Sequence, residues 1–206
     1  MIEALERAAG RPVSRETFER LTAFVERLKT ANRTQNLVAA STLDDIWDRH
    51  ILDCAQLVRF EPQPGASWVD IGSGAGLPGI VVASLAEGPV NLVEPRRLRA
   101  AFLAETVSEL GLADRVSVRA AKIDQVRGAF DVITARAVAP LDRLLAMGLH
   151  LAHSGTVWAL PKGRNANSEL AEARRSWQCT VRHEASCTDA QATILVLSKV
   201  RAKSNR

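Results

Sequence analysis

The chain has 206 residues, 47% hydrophobic and 24% charged, with a net charge of +4. That suits one domain with a full core, and no apolar run approaches the roughly 18 residues a helix needs to span a bilayer. Cys54, Cys179 and Cys187, with no CxxC and no clustered histidines, make a disulfide scaffold and a metal site poor readings; buried free thiols in a reducing cytoplasm are expected.

The opening MIEALERAAGRP is amphipathic and contains acids, so it reads as neither a secretory nor an organellar signal, and a cytoplasmic location is expected. In ETFERLTAFVERLKT, Phe18, Leu21, Val25 and Leu28 recur at helical spacing behind Ser14 as N-cap. A second helix is expected from TLDD, with Thr42 and Asp45 as a capping pair. Ile46, Ile51, Cys54 and Val58 form its apolar side, and it ends before Pro62. From Ser67 short β-branched runs alternate with helical ones. The strands are SWVDI, VNLVE, VSVRA, FDVITA and TVWAL, and the helices are 77–87, 97–110, 139–152 and 168–177. CTVRHEAS and ATILVLSKV then follow each other as strands, which predicts a final hairpin.

The expected architecture is one α/β domain: a helical cap over 1–62, a Rossmann-like core over 63–200 and a basic tail over 201–206. A mostly parallel seven-stranded sheet ending in an antiparallel hairpin is the arrangement of S-adenosylmethionine-dependent class I methyltransferases. A plain NAD-binding fold usually keeps its sixth strand parallel.

WVDIGSGAGLPG, Trp68 to Gly79, contains a dinucleotide-type GxGxxG at Gly74, Gly76 and Gly79. The charges around it point elsewhere. A pyrophosphate would sit against this turn and the next helix, where Asp70 would repel it. The α-ammonium and sulfonium of S-adenosylmethionine suit Asp70, and Pro78 fits the first helical turn while removing an N–H that a pyrophosphate would use. Asp70, Gly72, Gly74 and Gly76 are thus the expected cofactor loop. Glu94, 22 residues after Gly72 at the end of the second strand, is placed to accept ribose hydroxyls. Both cofactors would use that acid, and Arg96 and Arg97 keep NADP open as an alternative.

NLVA (Asn36–Ala39), DRHILD (Asp48–Asp53), DIGSGAGLPG, FDVITARA (Phe130–Ala137) and PKGR (Pro161–Arg164) follow in this order. With them the chain closely resembles the bacterial 16S ribosomal RNA guanine-N7 methyltransferases, the glucose-inhibited division protein B family, over about residues 15–200. The resemblance implies methyl transfer from S-adenosylmethionine to N7 of a guanine in 16S rRNA, leaving S-adenosylhomocysteine. It places cofactor contacts on Gly72, Leu77, Lys122, Ile123 and Arg136. Two departures stand out. AAKIDQ replaces the family's Arg-Ala-Glu after the third strand, with Asp124 the nearest carboxylate, and the chain ends in KSNR without any tyrosine.

Guanine N7 has a free lone pair and no proton to lose, so no side-chain acid/base catalyst is expected and orientation carries the rate. Arg136 and His50 are the candidate substrate-positioning residues. His50, Lys162 and Arg164 are the candidate RNA contacts; Lys162 is expected to meet a phosphate. Basic runs at RRLR (Arg96–Arg99), KGR (Lys162–Arg164), Arg174–Arg175 and the tail add a modest pointer to a polyanion. Trp47, Trp68, Trp158 and Trp177 read as core. The expected partner is 16S rRNA, naked or in a small-subunit particle, with no membrane, no metal and a monomeric enzyme. Another RNA or a small molecule as acceptor, an NAD(P)-dependent oxidoreductase and a non-catalytic RNA-binding module are the rivals.

Overall fold

The computed structural model describes residues 1–203; residues 204–206 of the expected basic tail lie outside the described residues. Five strands run parallel: β1 (Trp68–Ile71), β2 (Val90–Val93), β3 (Val116–Arg119), β4 (Phe130–Thr134) and β5 (Ala152–Lys162). The hairpin of β6 (Trp177–Ala185) and β7 (Thr193–Ala202) completes the order β3-β2-β1-β4-β5-β7-β6, with β7 antiparallel to both its neighbours. The expected strand TVWAL is the centre of the 11-residue β5.

All four residues of β1 are buried, as a central parallel strand covered on both faces requires. Four helices connect the strands: α4 (Gly79–Leu85), α5 (Arg97–Glu109), α6 (Leu141–Gly148) and α7 (Ala166–Ser176). Pro78 stands one residue ahead of the expected position, as the residue capping α4. Trp68, Trp158 and Trp177 are buried, and Trp47 stacks on Phe18 with ring centroids 5.4 Å apart.

The N-terminal cap differs from expectation in two places. The amphipathic opening forms a helix of its own, α1 (Ile2–Ala9), which buries Leu5, Ala8 and Ala9 and stops at Gly10. α2 (Arg15–Gln35) starts as expected, with the Ser14 hydroxyl accepting from the Thr17 N–H. The segment beyond is not one α-helix opened by a Thr42–Asp45 capping pair. A 3-10 turn at Ala40–Thr42 is followed by a π-helical stretch (Trp47–Leu52), a short α3 (Asp53–Ala55) and a 3-10 stretch (Gln56–Phe60). The Thr42 hydroxyl is engaged by Ala39 O and His50, so it does not cap.

Leu5, Leu21, Phe24 and Leu28 of the cap share one apolar core with Ile80, Val81 and Leu103 of the sheet's helical layer. Arg27 ties α2 to α5 through Thr106, Glu105 and Glu109. The cap is therefore fixed over one end of the sheet, where it walls a cleft. The thiols do not match expectation throughout. Cys54 is buried in the core, but Cys179 on edge strand β6 is half-buried and Cys187 in the following loop is exposed.

Candidate functional site

At the carboxyl ends of β1, β2 and β4 the strand order switches direction, the place where α/β sheets open a crevice. The glycine loop leaves β1 here. Gly72, Gly74 and Gly76 hold φ of 70°, 52° and 84°, and the N–H groups of Gly72 and Ser73 both donate to Val93 O. Two of the three leave no room for a side chain: a Cβ on Gly76 would lie 2.6 Å from Ile80 Cγ1. A Cβ on Gly72 would lie 2.7 Å from Val138 Cγ2, so the bare backbone is what lets Val138 close over the loop. Gly79 answers a different need: a Cβ there would lie 2.3 Å from Leu92 Cδ2 and 2.6 Å from Asp70 Oδ2. It allows α4 to pack against β1 and β2, which is why the dinucleotide-like spacing arises without a dinucleotide.

Asp70 lies beneath this loop and does not line the crevice. It is 1% exposed; Oδ2 accepts from the Gly79 N–H at 3.1 Å, and Oδ1 has no partner among the described residues. Burial pushes its carboxyl up to about 7, against the lowering pull of hydrogen bonds including that from Gly79. Glu94, by contrast, is at the wall. Its Oε2 accepts from the Gly74 N–H and its Oε1 from the Arg96 N–H, both at 2.9 Å, so one carboxylate clamps the glycine loop to the start of α5.

Two clefts flank the chain after β4. The first, about 890 Å³, is lined by Gly72, Glu94, Lys122, Ile123 and His150, with Ala137 and Val138 on its other side. His150 Nε2 lies 3.2 Å from both Ile123 O and Val126 O, which pins the 3-10 turn Ile123–Gln125 as one wall. The second, about 920 Å³, lies between the cap, the end of β5 and the β6–β7 loop; Thr42, His50, Arg136, Lys162, Thr188 and Asp189 face it. Ala137 and Val138 line both clefts. Ala137 holds φ 56°, a left-handed backbone costing roughly 1–2 kcal/mol without a glycine, and it turns the chain at the partition.

A relay of hydrogen bonds organises the second cleft. Arg136 Nη2 is 3.2 Å from His50 Nδ1, and His50 Nε2 is 2.8 Å from Thr42 Oγ1, whose own proton goes to Ala39 O at 2.7 Å. Arginine only donates. His50 Nδ1 must therefore accept, its proton sits on Nε2, and the ring is neutral. Burial, then the Arg136 charge, lowers the His50 pKa to about 4, consistent with that tautomer. Arg136 Nη1 also reaches Asp53 Oδ2 at 3.5 Å, while Asp53 Oδ1 accepts from Thr188 Oγ1 at 3.1 Å.

The structure thus brings Gly72, Glu94, Lys122 and Ile123 to the first cleft and His50, Arg136 and Lys162 to the second. Gly74, Gly76 and Leu77 are buried within the loop behind the wall, and Arg136, expected at the cofactor, faces the other cleft. Asp124 lines the first cleft, in the neighbourhood expected for a substitute acid. Lys162 does not offer a free ammonium to a phosphate. It donates to Glu169 Oε2 at 2.8 Å and points at Ala139 O, and Glu169 Oε2 also accepts from the Leu141 N–H. Arg164, two residues on in sequence, is exposed and lines neither cleft. The sequence assigns no site role to Asp53, Glu169 or Val138, and reads Thr42 only as a helix cap. Asp53 stands three residues after His50, a helical neighbour on the same face, and that spacing was the available signal.

The first cleft fits a nucleoside. Each Glu94 oxygen accepts one backbone N–H and keeps lone pairs for ribose hydroxyls, and the Gly72 backbone presents no side chain. Among the described residues no cluster of three or more His, Cys, Asp or Glu could hold a metal ion, and no helix is long and apolar enough to cross a membrane.

Comparison with known proteins bears on the family and the fold. The family model described as rRNA small subunit methyltransferase G matches residues 17–195. A Zymomonas mobilis protein named ribosomal RNA small subunit methyltransferase G is 43% identical over 203 residues, 94% of this chain and 91% of that protein. A Sphingopyxis alaskensis protein of the same name is 48% identical over 186 residues, 89% and 79% of the two chains. Among solved structures, a SAM-dependent methyltransferase from Aquifex aeolicus aligns with a TM-score of 0.60 at 14% identity, covering 85% of this chain and 98% of that one. An O-methyltransferase from Bacillus cereus in complex with SAH aligns with a TM-score of 0.59 at 18% identity, covering 86% and 91%. These two likenesses concern the fold.

Proposed function

The chain belongs to the rRNA small subunit methyltransferase G family, and on that premise we propose that it methylates N7 of a guanine in 16S rRNA, as a cytoplasmic monomer. Its activity as an S-adenosylmethionine-dependent rRNA methyltransferase follows from the family; the atom, the base and the setting are the proposal. The observation that carries it is the pair of clefts divided by Ala137 and Val138, one suited to a nucleoside and the other to a base.

S-adenosylmethionine, when bound, supplies a methyl group on a sulfonium, ready for displacement by a lone pair. The residues proposed to hold it are Gly72, Glu94, Lys122 and Ile123, with Glu94 receiving the ribose hydroxyls. Asp70 supports them indirectly, by fixing the start of α4 beneath the loop.

On the acceptor side no group needs to take a proton, because guanine N7 carries none. The second cleft matches that requirement. The His50 lone pair on Nδ1 is already occupied by Arg136, so His50 has no free base to offer; it orients the guanidinium. Arg136, held by His50 and Asp53, is the proposed donor to guanine O6, a contact that leaves N7 free for the methyl group. Orientation of this kind supplies up to roughly 7–11 kcal/mol in favourable cases.

The test is to map 7-methylguanine in 16S rRNA from cells with and without the gene. One guanine should be methylated only in the first. Identical methylation maps would overturn the guanine-N7 reading.

A further inference from the structure

The two clefts carry different charge. In the second, every cation is matched: Arg49 with Asp189 at 3.8 Å, Arg136 with Asp53 at 3.5 Å and Lys162 with Glu169 at 2.8 Å. The lining holds three cations and three carboxylates, a sum of zero with His50 neutral. The first cleft has Arg96, Arg99, Lys122, Arg127 and Arg143 against Glu94 and Asp124, five less two, or +3. Among the described residues none of these five cations is in an ion pair. Exposed Arg97 extends the patch outward.

A methyl donor does not account for this excess. S-adenosylmethionine carries a sulfonium, an ammonium and one carboxylate, a net positive charge, so a cationic rim repels it overall. Nor is the patch there for the fold. Arg97 and Arg99 fall in the first turn of α5, which has no acidic residue and no side-chain cap, and the helix dipole disfavours cations at that end. Leu98, between them, is 75% exposed.

We propose that the rim of the first cleft, formed by Arg96, Arg99, Arg127 and Arg143 with Arg97 just outside it, is the track for the rRNA phosphate backbone, and that the KGR segment at Lys162 is not. The proposal rests on the rRNA reading above and adds where the strand lies. A polyanion crossing this rim meets cations that have no carboxylate to surrender, and Leu98 gives an apolar contact for a ribose or base face. The acceptor base can then turn past Val138 into the neutral cleft, while its backbone stays over the positive one.

The test uses the full chain, 16S rRNA and small subunits as substrates, and S-adenosylhomocysteine as the cofactor probe. Arg97→Glu should raise KM for the rRNA substrate about tenfold or more at 0.15 M salt, since it reverses one phosphate contact. Its S-adenosylhomocysteine Kd should stay within about twofold, because Arg97 does not line the cleft; the fold is not at risk, an acid being favoured in a first helical turn. Arg143→Gln should reduce the slope of log affinity against log salt by about 1. Arg174→Glu, on exposed α7, is the control and should leave KM unchanged. Wild-type methylation of rRNA with Arg97→Glu and Arg143→Gln unaltered, or altered no more than Arg174→Glu, overturns the track and leaves the rRNA reading standing. Equal loss of cofactor and RNA affinity in Arg97→Glu also overturns it, since the patch would then serve a phosphate-bearing cofactor. Failure of the wild type on every form of 16S rRNA overturns the underlying reading instead.

Discussion

Glu94→Gln is the substitution that most sharply separates what holds the loop from what holds the ligand. Glu94 is 4% exposed, and each carboxylate oxygen accepts one backbone N–H, from Gly74 and from Arg96, at 2.9 Å. Glutamine keeps the shape but has one oxygen and one NH₂, so whichever way the amide turns, a donor faces a donor. One hydrogen bond to a charged group, worth roughly 1.5–3 kcal/mol, is lost, and the other weakens to an ordinary one. A stability loss of about 2–4 kcal/mol follows, at roughly 2–4 °C of Tm per kcal/mol for a chain of this size. Urea denaturation without ligand reads that term. Calorimetric titration with S-adenosylhomocysteine, under conditions where the variant is folded, reads the other: fewer acceptor lone pairs for the ribose should weaken Kd tenfold or more. Lower stability with unchanged Kd would keep Glu94 as a clamp and remove it as a ribose acceptor. Wild-type stability and wild-type affinity together would refute the reasoning.

Gly72→Ala should weaken S-adenosylhomocysteine binding and cost at least roughly 1–2 kcal/mol, because φ 70° disfavours a side chain and its Cβ would push Val138 from 2.7 Å; calorimetry and denaturation check both parts. Lys162→Ala should destabilise by about 1–3 kcal/mol, less than the roughly 3–5 of a fully buried broken pair because Glu169 is partly open. Its rRNA KM should be unchanged once folded protein is counted, and a KM rise larger than that of Arg97→Glu would restore Lys162 as the phosphate contact. Asp70 and His50 predict opposite pH dependence. Asp70 is raised from 3.8 to about 7, so the folded state binds the extra proton, and the wild type should lose stability relative to Asp70→Asn as pH rises from about 4 to 7. His50 is lowered from 6.5 to about 4, so the unfolded state binds the extra proton, and the wild type should gain stability relative to His50→Gln as pH rises from about 4 to 6.5. Denaturation across a pH series checks both; difference profiles of the same sign would contradict one burial assignment.

Most of the sheet is legible because each strand is a short β-branched run of its own. VNLV and FDVIT need no distant partner to be recognised, and CTVRHEAS followed at once by ATILVLSKV leaves room only for a hairpin. The cap is less legible, since its form is decided by side chains that meet across the chain. Thr42 has the sequence of a cap residue, and a histidine eight residues on takes its hydroxyl. The same distance in sequence hides the site's pairings. RRLR and KGR look alike as strings. Lys162 is neutralised by Glu169, whose approach depends on how α7 folds back on β5, whereas Arg96, Arg97 and Arg99 find no carboxylate among the described residues. Arg136 and Asp53 are 83 residues apart. Asp70 is the instructive middle case. Its position before the glycines demanded a positive neighbour, and the neighbour the fold supplies is the Gly79 N–H at the start of α4.

The division of charge between the clefts also bears on the chemistry. With guanine N7 as the proposed acceptor, the base becomes a cation as the methyl arrives. An unpaired guanidinium about 4 Å away would oppose that charge by roughly 4 kcal/mol at the effective dielectric of a protein surface. Asp53 beside Arg136 offsets most of this repulsion, while Arg136 keeps its hydrogen-bonding edge. A free cation would bind the phosphate better and the transition state worse. Placing the cations that are unpaired among the described residues on the far side of Val138 separates the two demands: on the proposed track the polyanion would lie on the side where the sulfonium loses its positive charge, and the base would react where the cations are already matched.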